Sequence, residues 1–431
     1  MALFHVTPHP TETQLLAGAN QTRADFVFDV MPNPDEMRSV GGATTLWSLV
    51  LDVSGSMSGE KIRALREAVK QIMSHLPQQA NFELQVVTFH TYGREIIPPT
   101  PATTILESLR RAQGRIDELK AEGTTSMGRG LEFALRAFEQ RPESIRRVLL
   151  LSDGEQQGDE PIEHVYEVAR QINEVGGQIE AWGVGNQWNA EELRRISQLT
   201  GGGAEVIPST NEMAASIEAL LEDVVATPAQ DVNLIFRTPK MYEILEVSLV
   251  YPNIATAQAD KISPQEFIIP MGTVTGQGSK ILVRIQGVER PAGLSVRAIK
   301  PEIRYTRNGQ VVTEELPPES NAFVKWVQNA SEIQPRDPVV ARYRGEEEVA
   351  KLQEEGLAAL EAGNTDLATA RLTAALQAAE QTGSLATAQL KALFDPSTGR
   401  LKAQAGSVEA KTARLLSGQT GRLAKTGKIG G

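Results

Sequence analysis

The spacing of apolar residues changes character several times along the chain. Ala24–Val30 (ADFVFDV) alternates apolar and polar positions, which predicts a half-buried strand, and Pro32, Pro34, Gly41 and Gly42 then interrupt it. From Thr44 onward, short apolar runs alternate with segments of helical spacing. Leu46–Val53 (LWSLVLDV) is almost continuously apolar, as a strand buried on both faces requires, and Ile62, Leu65, Val69, Ile72 and Met73 follow at helical intervals. Further strands are predicted at Phe82–Phe89, Val148–Leu151, Ile179–Val184 and Ala204–Ile207. Helices are predicted at Leu106–Leu119, Leu131–Phe138, Ile162–Ile172, Ala190–Leu199 and Met213–Val224. This alternation predicts an α/β fold, a doubly wound, Rossmann-like parallel sheet with helices on both faces. Ligands of such sheets bind beyond the carboxyl ends of the strands.

After Pro228 the period becomes two, over Asn233–Arg237, Ile244–Val250, Glu266–Ile269, Ser279–Ile285, Ser295–Ala298 and Ile303–Val312, with Asn308-Gly309 as a type I′ hairpin signal. The N-terminal segment has the same character, so the two regions are expected to form one β-sandwich. From residue 319 the pattern turns helical. The stretch EEEVAKLQEEGLAALEAGNTDLATARLTAALQAAEQTG resembles a single tetratricopeptide-type hairpin, broken at Gly363-Asn364. One such hairpin needs another domain or a partner to cover its apolar face. The expected division is residues 1–42 as sandwich strands, 43–226 as the parallel-sheet domain, 227–318 as the rest of the sandwich, 319–392 as a helical region and 393–431 as a flexible basic tail.

Cysteine is absent, which excludes disulfides, a thiolate nucleophile and Cys-based metal sites. No apolar run reaches the ~18 residues of a membrane span, and the opening residues MALFHVTPHPTETQLL show no secretory pattern, so a cytoplasmic location is expected. The net charge of −11 is uneven: residues 398–431 carry seven basic residues and one acid, a net +6, against −17 for the remainder. An acidic body argues against nucleic acid as a partner. The tail repeats Thr-x-basic-aliphatic at Thr398, Thr412, Thr420 and Thr426, with Gly or Ala second each time; compositional drift or one short helix around Val408–Leu416 is the alternative reading. As phosphorylation sites these threonines would each add about −1.5 to −2 charges, cancelling the tail's charge and offering copies to a phosphothreonine-reading domain.

The chemistry concentrates at three places. Asp52-Val53-Ser54-Gly55-Ser56 lies where the first parallel strand gives way to a helix, and its oxygen side chains at alternate positions of a tight loop can converge on one hard cation. Gly123-Thr124-Thr125-Ser126-Met127-Gly128 lies at a helix start, and Leu149-Leu150-Leu151-Ser152-Asp153-Gly154 puts a carboxylate directly after another strand. Carboxylates and hydroxyls suit Mg²⁺, with Mn²⁺ or Ca²⁺ as alternatives. Helix capping accounts for each residue singly but not for their joint occurrence. Together they resemble the metal-ion-dependent adhesion site of the von Willebrand factor A family, of the bacterial intracellular type, over roughly residues 44–224. The resemblance implies metal ligands Asp52, Ser54, Ser56, Thr125 and Asp153, with an open coordination position filled by an acidic side chain of a protein partner. Gapless matching back from Gly130-Leu131 selects Thr125, with Thr124 the alternative.

Other signals fall short. GSMSGEK (Gly55–Lys61) lacks the spacing and the Gly-Lys pair of a phosphate loop, and Gly183-Val184-Gly185 lacks a third glycine. His5, His9, His75, His90 and His164 show no ligand spacing, and Trp47 and Trp182 are expected in the core, with Trp188 a candidate for the ligand face. No nucleophile elbow or acid–base pair stands out, so the chain is expected not to be an enzyme. The expected function is an intracellular metal-dependent adaptor or scaffold. The resemblance extends to tellurium-resistance-associated members of the family, which links the chain to a Ser/Thr kinase and phosphatase. The alternatives are a regulatory subunit of a MoxR-type ATPase machine and a Mg²⁺-dependent hydrolase.

Overall fold

A computed structural model of the chain describes residues 2–19, 22–33, 44–78, 81–154, 156–157, 159–185, 188–207, 209–225, 227, 229–252, 254–256, 260–263, 265–307 and 310–417. Three strands open it: β1 (Phe4–His9), β2 (Glu12–Leu16) and β3 (Arg23–Pro32). The α/β domain follows, built on β4 (Thr45–Asp52), β5 (Phe82–Phe89), β6 (Gly93–Pro101), β7 (Ile145–Ser152), β8 (Gly177–Val184) and β9 (Ala204–Ile207). Its helices are α1 (Glu60–Ser74), α2 (Ala102–Glu107), α3 (Leu109–Asp117), α4 (Met127–Glu139), α5 (Ile162–Glu174), α6 (Ala190–Gln198) and α7 (Met213–Val225).

The sheet order is β6-β5-β4-β7-β8-β9, with β4 central and paired in parallel to β5 and β7. Every residue of β4 is buried because helices cover both faces. Side chains alternate across a strand. Trp47, Leu49 and Leu51 therefore join one core with α1, α2, α3 and α7, while Leu46 and Val50 join a second with α4, α5 and α6. One strand departs from the expected all-parallel sheet. β6 runs antiparallel to β5 at the edge, with Phe89 opposite Gly93. Its prolines hide it from periodicity reading, and an edge tolerates them because no further strand needs their missing N–H groups.

The sandwich is discontinuous in sequence, because the α/β domain is inserted between β3 and the strands that follow. These are β10 (Gln230–Arg237), β11 (Tyr242–Tyr251), β12 (Ala255–Thr256), β13 (Asp260–Ser263), β14 (Glu266–Gly272), β15 (Ser279–Gly287), β16 (Ser295–Arg307), β17 (Gln310–Glu315) and β18 (Ala322–Val327). One sheet is β1-β3-β15-β11-β12, and the other is β13-β14-β10-β16-β18-β2 with β17 paired to β16. Phe26, Phe28 and Val283 of the first face Leu234, Phe236 and Trp326 of the second, with the Phe28 and Phe236 rings 4.6 Å apart. Arg307 pairs with Gln310, spacing that suits a two-residue connection; residues 308 and 309 themselves lie outside the described set.

Two expected boundaries move. Residues 319–337 fall within the expected helical region, but β18 lies within them, pairing with β16 and β2, and Trp326 is fully buried in the sandwich. Helices begin only at α8 (Pro338–Glu361), capped by Asp337, and continue as α9 (Thr365–Thr382), α10 (Ala386–Ala392) and α11 (Val408–Leu415). The break between α8 and α9 is built from Gly363 at φ +75° and the Asn364 side chain, which accepts the Leu367 N–H at 3.2 Å. The hairpin's cover comes from its own chain. Val340 and Tyr343 of α8 pack on Val27, Val250 and Leu282 of the sandwich, and Arg344 pairs with Asp25 at 2.9 Å. The second correction concerns the expected flexible tail, which is folded as far as residue 417. Phe394 bridges to Leu401, and α11 lies against the α/β domain, with Leu415 in the core of α6 and β9 and the Ala413 carbonyl accepting the buried Gln353 amide at 2.7 Å. The alternative reading of the tail, one short helix around Val408–Leu416, is the one that α11 matches. Leu415→Ala is expected to cost about 2–5 kcal/mol of unfolding free energy, as for other buried leucines. Urea denaturation followed by tryptophan fluorescence reads this directly, and an unchanged midpoint would mean that α11 contributes no packing.

Candidate metal centre at the carboxyl edge of the parallel sheet

β4 and β7 are neighbours at the centre of the sheet and end together, which delivers Asp52 and Asp153 to the same edge. After Asp52 the chain makes a single 3-10 turn, Gly55–Met57, that carries Ser56. The loop before α4 is tied to this turn by its backbone: Gly55 N–H donates to Gly123 C=O at 3.1 Å, and Glu122 N–H to Val53 C=O at 2.8 Å. Gly123 has φ +75°, and a side chain there would run into Thr91 and His90. Only glycine lets the two loops approach this closely.

Asp52, Ser54, Ser56 and Asp153 form one hydrogen-bonded set, and Thr125 lies beside it. Asp52 is fully buried; its Oδ1 accepts the Ser54 N–H at 2.7 Å and its Oδ2 the Ser152 hydroxyl at 2.5 Å. The Ser54 and Ser56 hydroxyls lie 2.9 Å apart, and Ser56 Oγ donates to Asp153 Oδ1 at 2.6 Å. Gly154 sits beneath, where a Cβ would lie 3.4 Å from Thr125 Oγ1 and 3.7 Å from Ser56 Oγ. Thr125 is buried at this point, whereas the Thr124 hydroxyl pairs with Thr91 Oγ1 at 3.2 Å, so the geometry favours Thr125 over the alternative.

Burial pushes the Asp52 carboxyl up to about 6; hydrogen bonds from Ser152 and Ser54 oppose the shift, and the Asp153 charge adds to it. Two carboxylates held out of water are costly without a compensating cation. The donor set is carboxylate and hydroxyl oxygen throughout, which fits a hard divalent ion. Among the described residues no cluster of three or more His, Cys, Asp or Glu offers a rival metal site.

Several residues that sequence reasoning passed over support the set. Ser152 fixes the Asp52 carboxylate. Gln156 Oε1 caps the Met127 N–H at 2.9 Å, Glu160 Oε2 caps the Gly128 N–H at 2.9 Å, and Gln157 N–H donates to Thr125 C=O at 2.8 Å. These contacts lock the Thr125 loop to the Asp153 loop, and nothing in their spacing announces it. Lys61, the lysine of the rejected phosphate-loop string, reaches back to Asp153 Oδ2. Trp188 is not on the ligand face: it is fully buried against Gly183, donating to Gly185 C=O at 2.9 Å. His164 pairs with Glu132 at 3.0 Å and lies 3.8 Å from Glu160, outside the expected ligands.

A doubly wound sheet whose central strand ends in this arrangement defines a class of metal-site domain, and comparison with known proteins names it. Residues 48–206 match the family model of the von Willebrand factor type A domain, and this part of the chain is such a domain. The uncharacterized protein YfbK of Escherichia coli K12 is 27% identical over 221 residues, which cover 49% of this chain and 36% of that protein. Human inter-alpha-trypsin inhibitor heavy chain H3 is 26% identical over 189 residues, covering 41% of this chain and 20% of that one. The chain thus spans well under half the length of these relatives. A solved von Willebrand factor type A structure from Catenulispora acidiphila superposes with a TM-score of 0.80 at 23% identity, covering 97% of this chain and 96% of that one. The ArnB paralog VWA2 from Sulfolobus acidocaldarius gives a TM-score of 0.53 at 12% identity, over 97% and 99% of the two chains. These likenesses show the fold, sandwich and helices included. No helix among the described residues is long and apolar enough to cross a membrane.

Proposed function

We propose that this protein is an intracellular, metal-dependent protein-binding adaptor. Mg²⁺ is held by Asp52, Ser54, Ser56, Thr125 and Asp153, and its open position takes a carboxylate from a partner protein. The observation that supports this best is the convergence of two buried carboxylates and three hydroxyls on one point at the carboxyl edge of the sheet. When bound, the ion supplies a Lewis-acidic position for an acidic side chain; the chain's own loops fix the ligands and keep Asp52 out of water. The finer reading places the adaptor in kinase- and phosphatase-linked signalling. Thr398 supports it, being exposed in a turn where its N–H donates to Asp395 Oδ1 at 2.9 Å. Thr412 is half-buried within α11, and Thr420 and Thr426 lie outside the described residues.

The test is capture of partners from the native cell on immobilised protein in Mg²⁺, in EDTA, and with Asp52→Ala or Asp153→Ala. Partners retained in Mg²⁺ should be released by EDTA and absent from both variants. Partners held equally under all four conditions would refute a metal-bridged contact.

A further inference from the structure

The metal centre contains a charged group that belongs to none of its ligand positions. Lys61 lies in the first turn of α1, where a cation opposes the helix dipole. Its ammonium is nonetheless turned into the site, bonded to Asp153 Oδ2 and lying 3.4 Å from Ser56 C=O. The Lys61 stem runs alongside Gly185 at the end of β8, where a Cβ would come within 3.6 Å of Lys61 Cε.

Both oxygens of Asp153 are therefore engaged, Oδ1 by the Ser56 hydroxyl and Oδ2 by Lys61, and the carboxylate itself is fully buried. A divalent ion can use Asp153 only if one of these partners gives way or shares it. Ser56 sits on the short 3-10 turn between the strand and α1, tied at its neighbour Gly55 to the Gly123 loop. Lys61 is on a flexible four-carbon stem, a quarter exposed, with open water beside it.

We propose that Lys61 is an exchangeable internal cation of the metal centre, holding Asp153 in the metal-free protein and competing with the divalent ion for it. This rests on the metal-binding reading above. Two carboxylates and one ammonium carry a single excess negative charge. Adding a divalent ion reverses that sign, so the loaded centre is positive and favours an acidic partner, while the metal-free centre repels one. Lys61 thereby lowers metal affinity and sharpens the dependence of partner binding on metal.

The experiment is calorimetric titration of the full chain with Mg²⁺ and with Mn²⁺, together with thermal melting in EDTA and in saturating Mg²⁺, for wild type, Lys61→Met, Lys61→Gln and Lys61→Arg. Removing the charge is expected to tighten metal binding about tenfold, the effect of one close like charge in a partly buried site. Lys61→Met and Lys61→Gln should melt below wild type in EDTA, because Asp153 loses its partner, and the gap should close in Mg²⁺. Lys61→Arg keeps the charge and should bind metal about as wild type does. If Lys61→Met fails to fold, Lys61→Gln carries the comparison. Equal or weaker metal affinity in the uncharged variants, with wild type binding normally, overturns the role of Lys61 alone. Absence of metal binding in every form overturns the metal reading and this proposal together.

Discussion

Replacing Asp52 with asparagine is expected to abolish the protein's thermal response to Mg²⁺ and to make the metal-free protein more stable near neutral pH. The two effects share a cause. Asp52 is fully buried, and burial pushes its carboxyl up to about 6 from the ordinary 3.8. Between these values the folded chain holds a proton that the unfolded chain has released. Metal-free stability therefore falls as pH rises from about 4 to about 6 and stays reduced above that range. Asparagine can keep its Oδ1 for the Ser54 N–H while its Nδ2 amide donates to the Ser152 hydroxyl oxygen, and it carries no charge. In EDTA near neutral pH the variant should exceed wild type by about 1–3 kcal/mol, with the gap closing below about pH 4. Mg²⁺ should restore wild type alone, by about 2.7 kcal/mol at a hundredfold excess over its dissociation constant. Chemical denaturation across pH, with and without metal, checks each part. A wild type that gains nothing from Mg²⁺, or a variant no more stable in EDTA, would contradict the assignment of Asp52.

The largest expected loss of stability lies at the opposite end of the same sheet. Glu180 on β8 and Arg147 on β7 form an ion pair at 3.2 Å with side chains 2% and 1% exposed, and Glu180 Oε2 also accepts the Gly203 N–H at 2.8 Å. Burial raises the Glu180 carboxyl above its usual range, the Arg147 guanidinium and the Gly203 N–H oppose this, and Asp223 of α7 adds to it. Glu180→Ala leaves the guanidinium buried without its ion-pair partner, with the Asp223 charge nearby. A cost of about 3–5 kcal/mol is expected, the range for breaking one side of a buried pair. The double variant Glu180→Leu with Arg147→Met should recover most of it, since the same interior then holds apolar groups of similar size. Urea unfolding of the three proteins decides the point; a single variant within 1 kcal/mol of wild type would mean that water already reaches the pair.

Neither this pair nor the Lys61 contact is visible in the sequence. Arg147 and Glu180 are 33 residues apart; Arg147 stands just before the run Val148–Leu151, and Glu180 interrupts the run Ile179–Val184. They meet because β7 and β8 are sheet neighbours, a fact of strand order and not of spacing. Lys61 drew notice only through a phosphate-loop pattern that fails, and its actual partner lies 92 residues on. Gapless matching already selects Thr125 over Thr124, and the tertiary structure adds Gly154 beneath the one hydroxyl and Thr91 beside the other.

By itself the sequence determined the α/β class and its central strand, because the continuous apolar run Leu46–Val53 and the amphipathic repeat after it carry their burial locally, residue by residue. It also brought the oxygen-bearing residues to notice, because each stands at a strand or helix end that local pattern locates. Tertiary structure alone decided the antiparallel edge strand β6, the insertion of the domain into a split sandwich, the seating of Trp326 and Leu415 in cores their neighbours do not announce, and the charge partners of Asp153 and Glu180. The physical reason is the same in each case. Periodicity records which face of an element avoids water, whereas pairing order, edge position and charge contacts depend on which other element arrives at that face.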